Sequence, residues 1–226
     1  MIILAGGISS RLGQDKGLVL LANKHMIMYV LDKTRDLVDE NLVVVSSKIQ
    51  AERYSRTLGS NVNVLVDNLD IRSPLVGVAT GLERAKGKYS LLLPCDTPFV
   101  SREILQLLLE LCINKNAAIP RRPNCYTEPL QAAYGTEPAL EAAREALRAG
   151  DLNVQAMTSR LRGVRYVSTL VLEQLDPDLK TFFNVNTAMD LKKAENMLKD
   201  ALTKSFHERG RRDWTHERDS GLFQTD

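Results

Sequence analysis

Short apolar runs alternate along the chain with longer stretches in which apolar residues recur at helical spacing. The apolar runs are continuous and rich in β-branched residues, which is typical of strands covered by helices on both faces. Strands are expected at "IIL" from Ile2, "LVVVSS" from Leu42, "VNVLVD" from Val62, "YSLLLPCD" from Tyr89 and "AAIP" from Ala117. This order predicts an α/β fold, a doubly wound, mostly parallel Rossmann-like sheet with helices on both faces and the first strand in its middle.

The stretches between the strands predict amphipathic helices with recognisable ends. Helices are expected over Lys24 to Val38, Gln50 to Leu58, Pro74 to Gly87, "REILQLLLELC", "EPALEAAREALRAG" and Thr187 to about Lys199. The predicted N-caps are Ser73, Ser101 and Thr136, and the predicted C-terminal stops are Gly59, Gly87 and Gly150. Residues 121–155 are expected to be less regular, and the chain is expected to return to the sheet through "RYVSTLVL".

The periodicity stops near residue 203. The stretch "KSFHERGRRDWTHERDSGLFQTD" mixes acidic and basic residues without helical or strand spacing. Such a segment buries too little apolar surface to order itself, so residues 203–226 are expected to form a mostly disordered tail. Residues 1–202 are expected to form a single domain.

Composition excludes several classes of protein. The 226 residues carry a formal net charge of only +2, which argues against a nucleic-acid-binding protein. No apolar run approaches the roughly 18 residues of a membrane helix, and no signal-peptide pattern follows Met1, so we expect a cytoplasmic protein without a membrane partner. The cysteines Cys95, Cys112 and Cys125 are widely spaced and are expected to be reduced thiols.

The loop after the first strand, "GGISSRLGQDKG", carries glycines and two cations. Ligands of α/β sheets bind beyond the carboxyl ends of the strands, and glycine lets a backbone approach a phosphate closely. Gly6 and Gly7 are also compatible with a simple tight turn, but together with Arg11 and Lys16 they favour binding of a triphosphate. The loop fits neither G-x-G-x-x-G nor a P-loop, which disfavours dinucleotide dehydrogenases and Walker ATPases.

An acidic residue follows a later strand at the same predicted edge. "LLLPCDTPF" places Asp96 directly after a buried strand, where an aspartate is either a turn former or, beside a phosphate loop, a ligand for Mg²⁺. A cation loop and a metal-binding carboxylate suit displacement at the α-phosphorus of a nucleoside triphosphate, which needs positioning and charge neutralisation more than proton transfer. The body of the chain has one histidine, His25, and offers no Ser-His-Asp or Cys-His arrangement.

Three motifs in order, "LAGGISSRLGQDKG", "LLLPCDTPF" and "FFNVNTAMDL", resemble the nucleotidyltransferase family that includes the molybdenum cofactor guanylyltransferases. The resemblance covers roughly residues 1 to 200. It implies transfer of GMP from GTP to the phosphate of molybdenum-bearing molybdopterin, with Mg²⁺ as cofactor and with transient contact with molybdopterin-carrying or molybdoenzyme proteins. The alternatives are cytidylyl transfer to molybdopterin, guanylyl transfer to a corrinoid or phospholactate precursor, or a non-catalytic nucleotide-binding regulator. The last is disfavoured because Lys16 and Asp96 are both present.

The resemblance also implies which residues form the site. The β- and γ-phosphates would be held by Gly6, Gly7, Arg11 and Lys16, and the metal by Asp96, so that Arg11, Lys16 and Asp96 are the catalytic residues. Leu4, Ala5 and Gly6 would hold the nucleotide through the main chain, Asp67 would contact the guanosine, and Asn184 and Asn186 would assist the metal or the pterin phosphate. Gly77 would lie beside the guanine, although tight packing of its helix explains this glycine equally well.

The chain departs from the family pattern at a few positions. Ser46 stands where the family often has an asparagine after the second strand, which puts one nucleotide contact in question. Asn23 and His25 replace a glycine and a proline in a connecting turn, where little effect on the chemistry is expected. Arg121 and Arg122 open a segment expected to overhang the same edge, where they could meet the terminal phosphate of the acceptor. The resemblance assigns no role to Glu128 in that segment.

Overall fold

The β-branched runs form strands where the hydrophobic pattern places them. A computed structural model describes residues 1–9, 14–67 and 73–201. In these ranges one sheet contains β1 (Ile2–Leu4), β2 (Leu42–Val45), β3 (Asn63–Val66), β4 (Tyr89–Pro94), β5 (Ala117–Arg121), β6 (Ala132–Gly135) and β7 (Val164–Ser168). Their order is β7-β5-β6-β4-β1-β2-β3, and β6 alone among these seven runs antiparallel to its neighbours β4 and β5. β1 lies inside the sheet between β2 and β4, parallel to both.

Helices connect the strands and cover both faces of the sheet. They are α1 (Met26–Thr34), α2 (Lys48–Leu58), α3 (Pro74–Arg84), α4 (Arg102–Cys112), α5 (Thr136–Arg148), α6 (Val154–Arg160), α7 (Thr169–Leu172) and α8 over 188–201. Single turns of 3-10 helix span Lys16–Leu18 and Lys180–Phe182. Two short hairpins follow β1, one pairing Ile8–Ser9 with Gln14–Asp15 and the other pairing Leu20–Leu21 with Lys24–His25.

Alternation along β1 divides the core into two layers. Ile2 packs with Leu75 and Leu82 of α3 on one face of the sheet. Its neighbour Ile3 points to the other face and packs with Ile27 of α1 and Ile104 of α4. Because both faces are buried, the strands need no polar side, which accounts for their continuous apolar sequences and confirms the predicted doubly wound architecture.

Several predicted helix ends are confirmed. The Ser73 hydroxyl accepts a hydrogen bond from the Val76 N–H, and the Ser101 hydroxyl accepts one from the Ile104 N–H. Gly59 ends α2 with a φ of +72°. Two other predicted ends are wrong. Gly135, not Thr136, caps α5, since the Thr136 hydroxyl donates instead to the Gly87 carbonyl at 2.6 Å. Gly87 does not stop α3 either, because the helix ends at Arg84 with Ala85 as its C-cap.

Three other predictions are corrected by the structure. The region 121–155 contains the strand β6, whose short "AAYG" sequence has neither β-branched residues nor a run of large aliphatic residues to mark it as a strand. α1 begins at Met26 because Lys24 and His25 pair with the preceding hairpin strand. Finally, only the first part of "RYVSTLVL" is strand; β7 ends at Ser168, whose hydroxyl accepts from the Leu170 N–H and starts α7.

The predicted tail at 203–226 lies outside the described residues, and the single-domain assignment for 1–202 stays a prediction. Within the described ranges, no helix has the combination of length and apolarity that a membrane span requires. All three cysteines are free thiols; Cys95 and Cys112 are buried and Cys125 is exposed.

Candidate active site

Strand register brings the predicted site residues to one edge of the sheet. Leu4 at the end of β1 pairs with Val44 of β2 on one side and with Pro94 of β4 on the other. The residues that follow these three strands therefore emerge side by side, although they are far apart in sequence. They include the glycine pair, Ser46 and Asp96.

A cleft of about 450 Å³ opens at this edge. We call it the first cleft. Eight of the residues predicted for the site line it, namely Leu4, Gly6, Gly7, Lys16, Ser46, Asp67, Gly77 and Asp96. The remaining lining residues were not predicted for the site: Val44, Ser73, Pro74, Pro94, Cys95 and Leu130. Most of these lie within one or two residues of a recognised motif, so proximity to a strand end or to the α3 N-cap is the signal that would have found them.

Three predicted residues meet at the first cleft, two of them in its lining and the third bonded to Lys16. The Lys16 ammonium donates to Asp96 Oδ2 at 3.1 Å and to Asn186 Oδ1 at 2.6 Å. These partners lie 80 and 170 residues further along the chain, in the second and third motifs. The Asp96 side chain is 11% exposed and that of Lys16 is 24% exposed, so the pair is shielded from water yet open to a ligand.

The third motif is held in place at both ends. The Val185 N–H donates to the carbonyl of Asp96 at 2.9 Å, which ties the segment to the end of β4. Asp190 Oδ2 accepts from the N–H groups of Asn186 and Thr187, and the Asp190 N–H donates to the Thr187 hydroxyl at 3.1 Å. This reciprocal capping arrangement starts α8 and fixes the direction in which Asn186 leaves the chain. The hydrogen bond from Thr187 holds the pKa of Asp190 below its usual value.

The glycine pair has one crowded and one open position. A Cβ on Gly6 would lie 2.2 Å from Ser46 Oγ and 3.1 Å from the Ser46 backbone nitrogen. The Ser46 hydroxyl donates to the Gly6 carbonyl at 2.6 Å, so the serine found in place of the family asparagine braces the loop. At Gly7 the nearest atom to a Cβ would be Lys16 Cδ at 4.0 Å, which leaves the backbone of Gly7 facing open space.

A buried polar relay that sequence reasoning missed connects the loop to α2. Gln50 is 4% exposed; its Oε1 accepts from the Ser46 N–H at 2.9 Å and its Nε2 donates to Asp15 Oδ1 at 2.6 Å. The other Asp15 oxygen accepts from Arg53 at 3.3 Å. Since Asp15 directly precedes Lys16, the relay fixes the backbone from which the lysine projects. The only signal in the sequence is a glutamine at a helix position that faces the core.

Gly77 packs closely in the core and also borders the first cleft, and its place beside the guanine stays a prediction. A Cβ at this position would lie 3.2 Å from Leu4 Cδ2, so the glycine allows α3 to pack closely on β1. The same residue lines the first cleft.

Cys95 also lines the first cleft. Burial is the main cause that raises the pKa of its thiol, and the adjacent Asp96 carboxylate raises this pKa further. Cys95 is therefore a neutral wall of the cleft and no nucleophile.

Not every predicted residue lies in the first cleft. Ala5 is fully buried behind the cleft, with its N–H donating to the Val44 carbonyl at 2.8 Å. Asn186 reaches the site through Lys16, whereas Asn184 lines a neighbouring cavity. Arg11 lies outside the described residues, and its role stays a prediction.

A second cleft of about 330 Å³ adjoins the first. The two clefts share four lining residues, Pro74, Pro94, Asp96 and Leu130. Tyr126, Glu128, Leu152 and Asn184 are among those that line the second cleft alone. Asp96 thus stands on the wall between two cavities, which is where a group transferred from one bound molecule to another would lie.

The two arginines that open the overhanging segment have partners. Arg122 Nε donates to Glu128 Oε1 at 2.7 Å, and its guanidinium lies 5.7 Å from the centre of the Phe182 ring. The guanidinium of Arg121 lies 4.9 Å from the centre of the Tyr166 ring. Because Arg122 is paired with Glu128, its main role is to hold that carboxylate in place. This pairing argues against the expectation that Arg122 binds the phosphate of the acceptor.

The donor set suits a magnesium ion bound together with phosphate. Lys16 occupies Asp96 Oδ2, and Oδ1 accepts no hydrogen bond from the described residues. Within the same part of the chain, no three His, Cys, Asp or Glu side chains cluster as a complete metal site. Mg²⁺ characteristically uses one or two carboxylates and takes its other ligands from phosphate and water, so Asp96, with the amide oxygen of Asn186 nearby, fits that ion.

Comparisons with known proteins agree with this geometry. Residues 1–163 match the family described as "MobA-like NTP transferase domain". A probable molybdenum cofactor guanylyltransferase of Methanosarcina mazei is 32% identical over 208 residues, which is 90% of this chain and 91% of that protein. The molybdenum cofactor guanylyltransferase of Desulfosudis oleivorans is 32% identical over 200 residues, or 88% of this chain and 95% of that protein.

Solved structures give the same assignment. Molybdopterin-guanine dinucleotide biosynthesis protein A of Archaeoglobus fulgidus superposes with a TM-score of 0.75 at 28% identity, covering 88% of this chain and 98% of that one. The 2-C-methyl-D-erythritol 4-phosphate cytidylyltransferase of Thermus thermophilus, with a TM-score of 0.63, 18% identity and coverage of 88% and 98%, shares the fold. The resemblance carried by the three motifs is thus confirmed over most of the chain, which belongs to the MobA-like NTP transferase family.

Proposed function

We propose that this protein transfers GMP from GTP to the terminal phosphate of molybdenum-bearing molybdopterin. The products are molybdopterin guanine dinucleotide and pyrophosphate. The relatives that are about 32% identical over most of their length are named as molybdenum cofactor guanylyltransferases, which supports the choice of base and acceptor. A cytoplasmic location and transient contact with molybdopterin-carrying or molybdoenzyme proteins form part of the same proposal.

The observation that carries the proposal is the convergence of Lys16, Asp96 and Asn186. One residue from each motif contributes, and the lysine bridges the other two at 3.1 and 2.6 Å. A cation held between a carboxylate and an amide beside a cleft is positioned to bind a polyphosphate. Its positive charge also reduces the repulsion between that polyphosphate and a second anion that approaches it. The open backbone of Gly7 beside the lysine chain adds room for phosphate oxygens to approach N–H groups.

The chemistry needs little proton transfer. A phosphate oxygen of the acceptor attacks the α-phosphorus of GTP, the bond to the β-phosphate oxygen breaks, and pyrophosphate leaves with its negative charge. Lys16 neutralises the phosphates of the donor, and the relay from Gln50 through Asp15 keeps its backbone fixed during the reaction. Mg²⁺ bound at Asp96 would neutralise further charge and orient the phosphate oxygens.

The test of base and acceptor is a turnover assay with the full chain. The protein is incubated with molybdopterin-bearing material, Mg²⁺ and each of the four nucleoside triphosphates in turn, and pyrophosphate and the dinucleotide product are measured. Turnover with GTP well above that with CTP is expected. Absence of turnover with GTP, or equal turnover with CTP, would contradict guanylyl transfer.

The test of the metal role is Asp96→Asn. The substitution keeps the shape of the side chain but removes the charge, so we expect kcat to fall by at least about 100-fold and its dependence on Mg²⁺ to weaken. Asp178→Asn is the matched control, because Asp178 also pairs with a lysine, Lys180 at 2.9 Å, but is 70% exposed and lines neither cleft. Full activity of Asp96→Asn, or an equal loss in the control, would refute the assignment.

A further inference from the structure

The second cleft has the size and lining of a site for a flat heteroaromatic ring with polar edges. Its volume of about 330 Å³ lies at the lower end of the range of about 300–1,000 Å³ found for small-molecule sites. Its walls include Pro74, Pro94, Pro129 and Leu130, with Tyr126 alongside. Proline rings and an aromatic side chain offer flat surfaces on which a heteroaromatic ring can stack.

The Glu128 carboxylate in this lining is held in a fixed position from which it can bind a ligand. The Glu128 side chain is 14% exposed, and Arg122 Nε holds its Oε1 at 2.7 Å. The backbone on both sides is also fixed, since the Glu128 N–H donates to the Pro120 carbonyl at 3.0 Å and its carbonyl accepts from the Gln131 N–H. A carboxylate held in this way through one oxygen presents the other to a ligand in a defined direction.

The shared wall gives the orientation of such a ligand. Asp96 lines both clefts, so a molecule in the second cleft with an anionic end meets the Lys16 and Asp96 pair at that end. Its ring then lies against the prolines and Glu128. The ligand class that matches is a fused heteroaromatic ring with paired N–H donors on one edge and a phosphate on the opposite side.

On the basis of the function proposed above, we propose that the second cleft binds the pterin ring of the acceptor and that Glu128 is the residue that selects it. The carboxylate accepts hydrogen bonds from the amino group and the adjacent ring N–H of the pterin. With a ring that lacks these paired donors, the Glu128 oxygen that Arg122 does not hold is left without a hydrogen bond from the ligand, which penalises such rings. Glu128 is thereby a specificity residue for the acceptor and makes no contact with the donor nucleotide.

The variant that tests this is Glu128→Gln. Its amide oxygen can still accept from Arg122, whereas the second oxygen becomes an NH₂ group that repels the pterin donors. A hydrogen bond to a charged group is worth enough to predict a rise of about 10- to 100-fold in the KM for molybdopterin, with kcat and the KM for GTP unchanged. Glu83→Gln is the matched control, since Glu83 also pairs with an arginine, Arg144 at 2.6 Å, but its side chain is 59% exposed and lines neither cleft.

A second variant acts by shape alone and does not depend on the ion pair. Leu152 is 40% exposed at the edge of the second cleft, so Leu152→Trp fills the cavity without disturbing the core. It should raise the KM for molybdopterin and leave the KM for GTP unchanged. Thermal unfolding followed by circular dichroism checks that each variant is folded.

A binding assay separates this inference from the proposed reaction. The fluorescence of 6-hydroxymethylpterin is titrated with protein in the presence and absence of saturating GMP, which fills the first cleft. Pterin binding should persist with GMP present, weaken about tenfold or more in Glu128→Gln and Leu152→Trp, and remain unchanged in Glu83→Gln. Pterin binding that shows this pattern while no nucleotide is transferred would contradict the proposed reaction and leave the pterin site standing.

Three results would overturn the pterin site. The first is no binding of the pterin to the wild-type protein at millimolar concentration. The second is equal binding by the wild-type protein and Glu128→Gln. The third is displacement of the pterin by GMP together with a raised KM for GTP in Glu128→Gln, which would place Glu128 on the donor base and leave guanylyl transfer itself intact.

Discussion

Gly6 and Gly7 are adjacent in sequence, but the addition of one methyl group should destabilise the protein at Gly6 and have almost no effect at Gly7. In Gly6→Ala the new Cβ would lie 2.2 Å from Ser46 Oγ, a contact that no real structure tolerates. The hydroxyl can rotate away, but it then gives up its 2.6 Å hydrogen bond to the Gly6 carbonyl. The Ser46 backbone nitrogen, at 3.1 Å from the new Cβ, is held by Gln50 and cannot move as easily.

The expected loss of stability follows from these two contributions. A lost hydrogen bond costs about 0.5–1.5 kcal/mol, and overpacking against a constrained backbone costs about 1–3 kcal/mol. We therefore expect Gly6→Ala to lower the free energy of unfolding by about 1.5–4.5 kcal/mol. Gly7→Ala, whose Cβ would meet nothing nearer than Lys16 Cδ at 4.0 Å, should change it by less than about 0.5 kcal/mol.

Urea unfolding followed by far-UV circular dichroism measures both variants against the wild-type protein. The double variant Gly6→Ala/Ser46→Gly removes the clashing hydroxyl, so its loss of stability should be smaller than the sum of the two single losses by about 1 kcal/mol or more. Equal stability of Gly6→Ala and Gly7→Ala, or strict additivity in the double variant, would refute the view that Ser46 and Gly6 are packed as a unit.

Three further predictions test other parts of the molecule. Gln50→Leu should break the hydrogen bonds to Ser46 and Asp15, displace the loop that carries Lys16 and lower kcat about tenfold or more. Gln50→Glu should restore less than half of the wild-type activity. An unchanged kcat in Gln50→Leu would contradict a positioning role for Gln50. The wild-type protein should be more stable than Asp190→Asn, with the full difference present above the ordinary carboxyl pKa of about 4. The difference should be lost as the pH falls through the lowered pKa of Asp190 in the folded state. The free energies of unfolding of the two proteins, measured against pH, should therefore converge in acid. Ala22→Asn should raise the free energy of unfolding by about 0.5–1 kcal/mol, because Ala22 has a φ of +49° in a two-residue hairpin turn. Urea unfolding measures the change, and equal stability of the variant and the wild-type protein would contradict this expectation.

Local sequence signals determined much of the fold because they act over a few residues. Ser73 and Ser101 cap the helices that follow them, and Gly59 ends α2 at a positive φ, since each of these needs only its own neighbours. Where a distant partner competes, the local signal fails. The Thr136 hydroxyl donates to the distant Gly87 carbonyl instead of capping α5, and "AAYG" becomes a strand because its backbone pairs with both β4 and β5.

The composition of the first cleft was also largely determined by sequence, since strand ends of a parallel sheet converge on one edge whatever the loops do. The contacts inside the site were not. These contacts join side chains from segments up to 170 residues apart. Lys16 bonds both Asp96 and Asn186, Gln50 bonds Asp15, and Arg122 bonds Glu128. The sequence by itself thus determined most of the sheet and the edge at which the predicted site residues gather, whereas only the tertiary structure decided their partners and created a second cleft, because hydrogen bonding and packing between distant segments are set by how the whole chain folds.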